Sequence, residues 1–133
     1  MILADTPVWI EYLRRGENGW AHELDELLAR GELAMCGPVL GELVAGVPPE
    51  RRNDYALRLR ALPWADLDRD GWTRVGLVRG DLLRDGFTAS LIDVAIAVSA
   101  AHGRATLWSA DAVHERVVAA MGDLTLRYER GLG

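Results

Sequence analysis

Met1-Ile2-Leu3-Ala4-Asp5-Thr6-Pro7-Val8-Trp9-Ile10 opens the chain, and its reading decides the fold. Ile2 to Ala4 is a short apolar strand that ends in an acid, with a helix start directly behind it. Asp5 or Thr6 suits the N-cap, and Pro7 suits the first helical position, where its missing N–H costs nothing. An acid at the carboxyl end of a first, central strand lies where open α/β sheets place their ligand crevices.

Working outward, Val8, Trp9, Tyr12 and Leu13 recur at helical spacing, which predicts a helix from Pro7 to about Arg15. Gly16 to Gly19 is a turn. Trp20 to Arg30 is a second helix, capped by Gly31. Leu33 to Cys36 reads as a second strand, and Gly37-Pro38 opens a helix carrying Val39, Leu40, Leu43 and Val44 inward. After the break at Gly46 to Pro49, a helix runs from about Glu50 to Leu62. Trp64 to Leu67 reads as a third strand at a sheet edge, followed by a helix from Arg69 to about Leu83. Ser90 to His102 is the most apolar helix, with Leu91, Val94, Ala95, Ile96 and Val98 expected against the sheet. Ala105 to Trp108 is a strand, Ala112 to Met121 a last helix, and Leu124 to Arg127 a closing strand with a loose tail behind it. Alternating strands and helices predict an α/β three-layer fold, a mostly parallel sheet flanked by helices. The 133 residues read as one domain spanning 1–133.

Composition removes several chemistries. All 15 basic residues are arginine. Without lysine there is no phosphate-binding Gly-Lys-Ser/Thr loop and no Schiff-base amine. Phospho-aspartyl domains of the receiver and haloacid-dehalogenase types also place an acid after the first strand, but they use a lysine too. Cys36 stands alone, which excludes an internal disulfide and a multi-cysteine zinc site; it reads as a small buried apolar residue. The formal net charge is −5, so a nucleic-acid partner must be met by local arginines, with metal offsetting the acids. No apolar run nears the roughly 20 residues of a membrane span, and the start lacks a secretory leader's pattern. The expectation is a cytoplasmic protein.

Four acids map to one end of this sheet: Asp5, Glu42, Asp93 and Asp111. A site of carboxylates alone suits Mg²⁺ or Mn²⁺. Each has a purely structural reading as well. Asp5 and Asp111 suit N-caps, Ser90-x-x-Asp93 suits a capping box, and Glu42 suits a solvated helix face. Those readings leave unexplained why Asp93 stands among Leu91, Ile92 and Val94, and Glu42 within Val39 to Val44, in a chain that has no lysine to pair them.

Ala4-Asp5-Thr6-Pro7-Val8-Trp9-Ile10, Gly41-Glu42-Leu43, Ile92-Asp93-Val94-Ala95-Ile96-Ala97 and Ala105-Thr106-Leu107-Trp108-Ser109-Ala110-Asp111 stand in an order that resembles the PIN-domain ribonucleases. The VapC-type toxins of type II toxin–antitoxin pairs are the nearest likeness. The resemblance implies a Rossmann-like, PIN-like fold in which Asp5, Glu42, Asp93 and Asp111 form the catalytic, metal-holding quartet. Thr6 and Ser109 match the hydroxyl positions that orient it. It further implies hydrolysis of RNA with Mg²⁺ or Mn²⁺, Asp5 and Asp93 being the most direct ligands, together with a homodimer and a cognate antitoxin. Trp9, Tyr12, Leu13, Trp20 and Leu24 are candidates for antitoxin contact, with ordinary core as the alternative. The chain departs from the family pattern where a further acid or histidine and then an aromatic commonly follow the fourth acid; here Val113 and His114 stand there.

Arg14, Arg15, Arg51 and Arg52 are candidate RNA-phosphate contacts; tryptophans are more often core or interface than base-stacking platforms, and Trp9 and Trp108, which flank the expected site, are the two to check for RNA contact. The three histidines show no ligand spacing. His102 reads as a helix C-terminal residue, and His114 as a surface or packing residue. Two other functions stay open on the sequence: an inactive PIN-fold interaction module, and a general or DNA-directed metal phosphoesterase.

Overall fold

The computed structural model describes residues 1–15 and 19–129. The expected turn at Gly16 to Gly19 and the expected loose tail fall largely outside the described residues, as do the side chains of Arg15 and Trp20. The chain runs β1 (Ile2–Ala4), α1 (Thr6–Arg15), α2 (Gly19–Ala29), β2 (Leu33–Ala34) and α3 (Gly37–Gly46). A 3-10 turn (Pro49–Arg51) then leads into α4 (Arg52–Arg60), α5 (Arg69–Arg84), α6 (Leu91–His102), β3 (Thr106–Ser109), α7 (Val113–Met121) and β4 (Leu126–Tyr128).

The four strands are all parallel, in the order β2-β1-β3-β4. The chain leaves β1 for β2 on one side and returns to β3 on the other. The order therefore reverses between β1 and β3, and a crevice opens beyond their carboxyl ends. Backbone pairing continues one step past β1, where the Asp5 N–H donates to the Trp108 carbonyl at 2.8 Å. Asp5 is thus held at the mouth of that crevice.

The core is continuous across both faces of the sheet. It includes Leu3, Leu24, Leu33, Met35, Val75, Leu107 and the run from Val94 to Val98 in α6. Cys36 is buried there as expected, and burial pushes its thiol up to about 11. None of the described helices is long and apolar enough to cross a membrane.

Two expectations are corrected. Trp64 to Leu67 is not a strand: only the single bridge Met35–Trp64 forms beside β2. The Met35 N–H donates to the Pro63 carbonyl at 2.7 Å and the Ala65 N–H to the Met35 carbonyl at 2.8 Å. Beyond that the Asp66 carboxylate takes the Leu67 N–H at 2.9 Å, and the ladder stops. In α6, burial begins at Val94; Leu91 is 50% exposed, because the first turn stands at the crevice end of the helix. Gly103 is the C-cap of α6, in ordinary right-handed backbone. Its φ is −83°, and Arg104 takes the positive φ of 52° instead. Glycine is needed at 103 for room, since a Cβ there would lie 2.9 Å from the Ala65 Cβ.

Candidate active site

Asp5 is 3% exposed, and each of its oxygens is engaged. Oδ1 accepts the Thr6 backbone N–H at 2.7 Å, at the start of α1, and Oδ2 accepts the Ser109 hydroxyl at 2.9 Å, from the last residue of β3. One carboxylate thus ties the ends of the two inner strands together across the point where the strand order reverses. Hydrogen bonds to a carboxylate are stronger than neutral ones, and these two fix the direction of both oxygens.

The other expected residues attach to this centre by short relays. The Thr6 hydroxyl donates to Glu42 Oε1 at 2.5 Å, bringing α3 to the site from an otherwise exposed side chain. The Ser109 Oγ accepts the Asp111 N–H at 3.0 Å while donating to Asp5, so one hydroxyl bridges the first and fourth acids. The Asp111 side chain itself folds back to accept the Val113 N–H at 3.0 Å at the start of α7. The N-cap of α7 is Ala112, one residue on, and the Asp111 carboxylate is exposed. Thr6 and Ser109 are both buried.

Asp93 enters from the first turn of α6. Ser90 is the N-cap, its Oγ accepting the Asp93 N–H at 3.0 Å. The Asp93 carboxylate points to the crevice, where its Oδ1 lies 3.9 Å from His114 Nε2. The same nitrogen lies 3.1 Å from Asp5 Oδ2. Asp5 and Asp93 therefore converge on one imidazole.

His114 is the residue that sequence reasoning missed. It is not on the surface: the ring is fully buried, and it stands among the carboxylates. The contact with Asp5 is close, yet neither ring nitrogen makes a properly directed hydrogen bond. Nε2 and Oδ2 stand close together, off the line a hydrogen bond would take. A signal was available: His114 follows Asp111 by three positions, one turn on, and its N–H donates to the Asp111 carbonyl at 3.1 Å. That spacing returns its side chain to the same end of the sheet.

The two tryptophans flanking the site take the commoner of their two readings, core. Trp9 is 2% exposed and packs edge-on to Tyr12 with ring centres 6.0 Å apart. Trp108 is fully buried, with the Arg127 guanidinium 3.9 Å from its ring centre. Both are core residues with no face for a base to stack on.

Of the four arginines, Arg14 lines a cleft of about 270 Å³ that also holds Glu42, Leu43 and Tyr55. Arg51 lines a separate groove of about 490 Å³ with Trp9, Tyr12, Leu13, Leu28 and Leu59. Arg52 lines a shallow surface beside Leu40, Val44 and Ala56. Arg14 alone among the described side chains of this set shares a cleft with one of the acids.

The donor set is hard oxygen, which fits a small divalent cation. Among the described residues no three His, Cys, Asp or Glu side chains already stand close enough together to hold an ion as a closed cage. Asp5 and Asp93 are the two that approach a common neighbour. One or two carboxylates with water filling the remaining positions is the usual arrangement for Mg²⁺.

The structure is similar to chains in several solved complexes, each below 25% identity. VapBC2 from Rickettsia felis, bound to a DNA fragment from its promoter, matches with 22% identity and a TM-score of 0.73, covering 96% of this chain and 98% of that one. DNA-bound VapBC from Salmonella typhimurium matches with 18% identity and a TM-score of 0.77, covering 96% of each chain. FitAcB from Neisseria gonorrhoeae matches with 21% identity and a TM-score of 0.66, covering 95% and 96%. A search of curated proteins finds no match. Residues 2–120 match the PIN domain, nearly the whole length of the sequence, and the chain belongs to the PIN domain family.

Proposed function

We propose that the chain is a metal-dependent endoribonuclease, the toxin of a type II toxin–antitoxin pair. Asp5, Glu42, Asp93 and Asp111 are its acidic set. The observation that carries this reading is the convergence of Asp5 and Asp93, from β1 and α6, on one buried point at the mouth of the crevice. Family membership and the likeness to toxin–antitoxin complexes support it.

In this reading Asp5 and Asp93 hold a divalent cation, which when bound supplies Lewis-acid activation of water and offsets charge on the scissile phosphate. Ser109 and the Thr6 N–H fix the Asp5 carboxylate, so its oxygens need no reorganisation when substrate arrives. Thr6 holds Glu42 at the rim, and Arg14 in the adjoining cleft receives a flanking phosphate. The antitoxin occupies the groove of Tyr12, Leu13, Leu28, Tyr55 and Leu62, which is apolar along its floor. The chain acts as a homodimer, which light scattering of the purified protein checks.

The test is RNA cleavage with Mg²⁺ or Mn²⁺, with and without chelator. Wild type cleaves, chelator abolishes cleavage, and Asp5→Asn and Asp93→Asn each lower the rate roughly 100-fold or more. Wild-type protein that binds its antitoxin yet leaves RNA intact in either metal would replace this reading with the interaction-module one.

A further inference from the structure

We propose that His114 is a ligand to the divalent cation, making a mixed site of one imidazole nitrogen with the Asp5 and Asp93 carboxylates. The proposal rests on the metal-dependent reading above and specifies its ligand chemistry. It places the cofactor among first-row transition ions, with Mn²⁺ the representative, ahead of Mg²⁺.

Burial argues first. The His114 ring is fully buried, and both its nitrogens lack a directed hydrogen bond. A neutral imidazole carries one donor and one acceptor, and leaving them unmet away from water is costly. Packing alone is served better by an aromatic ring that carries no such cost. Direction argues next. Nε2 is the atom turned to the two carboxylates, not the carbon edge of the ring.

Spacing argues last. Two donors on one ion, with bonds of roughly 2.1 Å, stand about 3 Å apart at right angles and about 4.2 Å apart in line. The observed 3.1 Å from Nε2 to Asp5 Oδ2 and 3.9 Å to Asp93 Oδ1 both fall in that interval. Asp5 Oδ2 takes one bond from Ser109, which leaves a second lone pair for the ion. Closing the cage asks for an adjustment of Asp93, whose side chain is 27% exposed. Ligation through Nε2 puts the ring proton on Nδ1, the one polar atom of the ring then still without a partner.

A nitrogen donor changes the choice of ion. Mg²⁺ prefers oxygen throughout, whereas imidazole suits Fe²⁺, Ni²⁺ and Zn²⁺ best; Mn²⁺, the most oxygen-loving of the first-row series, still accepts one nitrogen beside carboxylates and is the spectroscopic probe. Mn²⁺ is paramagnetic, so the nitrogen is read directly by electron spin-echo envelope modulation on Mn²⁺-loaded protein. The expected result is a nitrogen-14 modulation that changes to the nitrogen-15 pattern in histidine-labelled protein. It persists in a His22→Gln, His102→Gln double variant, where His114 is the sole histidine. His114→Phe abolishes it and weakens Mn²⁺ binding by titration calorimetry on the order of tenfold, with Mg²⁺ binding little changed.

Mn²⁺ bound in a manner that Asp5→Asn and Asp93→Asn abolish, but without nitrogen modulation, would overturn this proposal and leave the metal-dependent reading standing. Wild-type protein that binds no Mn²⁺ would overturn both. The labelled wild type and the double variant decide the matter even if His114→Phe fails to fold.

Discussion

At the scale of single residues, the centre of the molecule is Ser109. Its hydroxyl donates to Asp5 and accepts from the Asp111 backbone, so one small side chain joins β1, β3 and the approach to α7. Ser109→Ala removes both bonds in a fully buried place and leaves the Asp5 oxygen with one partner fewer. The expected loss is about 1.5–3 kcal/mol in urea unfolding, the range for a hydrogen bond to a charged group. RNA cleavage should fall as well, since Asp5 is then free to turn. A variant as stable as wild type would show that Asp5 is held from elsewhere. The acids of this centre were legible in the sequence because carboxylates stood where strands finish and apolar helices begin. His114 was not legible. A histidine in the first turn of an exposed-looking helix gives no hint of burial until α7 is known to close over the crevice. Trp9 and Trp108 show a different limit: standing close to Asp5 or Ser109 in the chain does not say which way a large ring faces, and both rings face the core.

At the scale of elements, α6 is what carries Asp93 to the site, and both of its ends are fixed by contacts that can be broken singly. The Ser90 cap sets its start, and the absent side chain of Gly103 sets its finish against Ala65. Gly103→Ala puts a methyl 2.9 Å from the Ala65 Cβ and 3.4 Å from the Ser99 carbonyl, neither of which is the end of a flexible chain. Backbone conformation does not forbid alanine there, because φ is −83°. The expected cost is therefore that of overpacking, about 1–3 kcal/mol by chemical denaturation. An unchanged midpoint would mean that the 65–67 segment moves aside freely. The strand at Trp64 to Leu67 failed for a reason local sequence shows only weakly. Apolar residues suit a strand, but Pro63 lacks a donor and Asp66 takes the next backbone N–H for itself. The helices, in contrast, announced themselves through period, caps and glycines, down to the left-handed Gly31 behind α2.

At the scale of the whole molecule, the order β2-β1-β3-β4 leaves β4 as an outer strand, and a charged clamp secures it. Arg127 on β4 donates from Nη1 and Nη2 to the two oxygens of Glu23 on α2 at 2.5 and 2.9 Å, and from Nε to Glu129 at 2.9 Å, while its guanidinium covers Trp108. Hydrogen bonding from Arg127 holds the Glu23 carboxyl below its ordinary value, and the bond from Arg74 does the same to Asp123 ahead of β4. A carboxyl whose folded value is depressed contributes stability above its unfolded value, and loses it as pH falls through the folded one. The acid limb of the stability curve should therefore steepen below the ordinary carboxylate range. Arg127→Met should flatten that limb, with a modest loss at neutral pH because the groups are part-exposed. Superimposable acid limbs would place the acid sensitivity elsewhere. The crevice gives the opposite kind of test, since its carboxylates gather around one buried imidazole instead of a guanidinium clamp. A cation that binds only the folded chain stabilises it by mass action, about 2.7 kcal/mol at a hundred times its dissociation constant. Thermal melts with saturating Mn²⁺ should rise in wild type and stay flat in Asp5→Asn, whereas Arg127→Met, whose clamp is to Glu23 and Glu129 and not to the crevice acids, should keep the full rise. Equal rises in all three proteins would mean that the ion acts on the surface at large, and that the crevice between β1 and β3 is not where it binds.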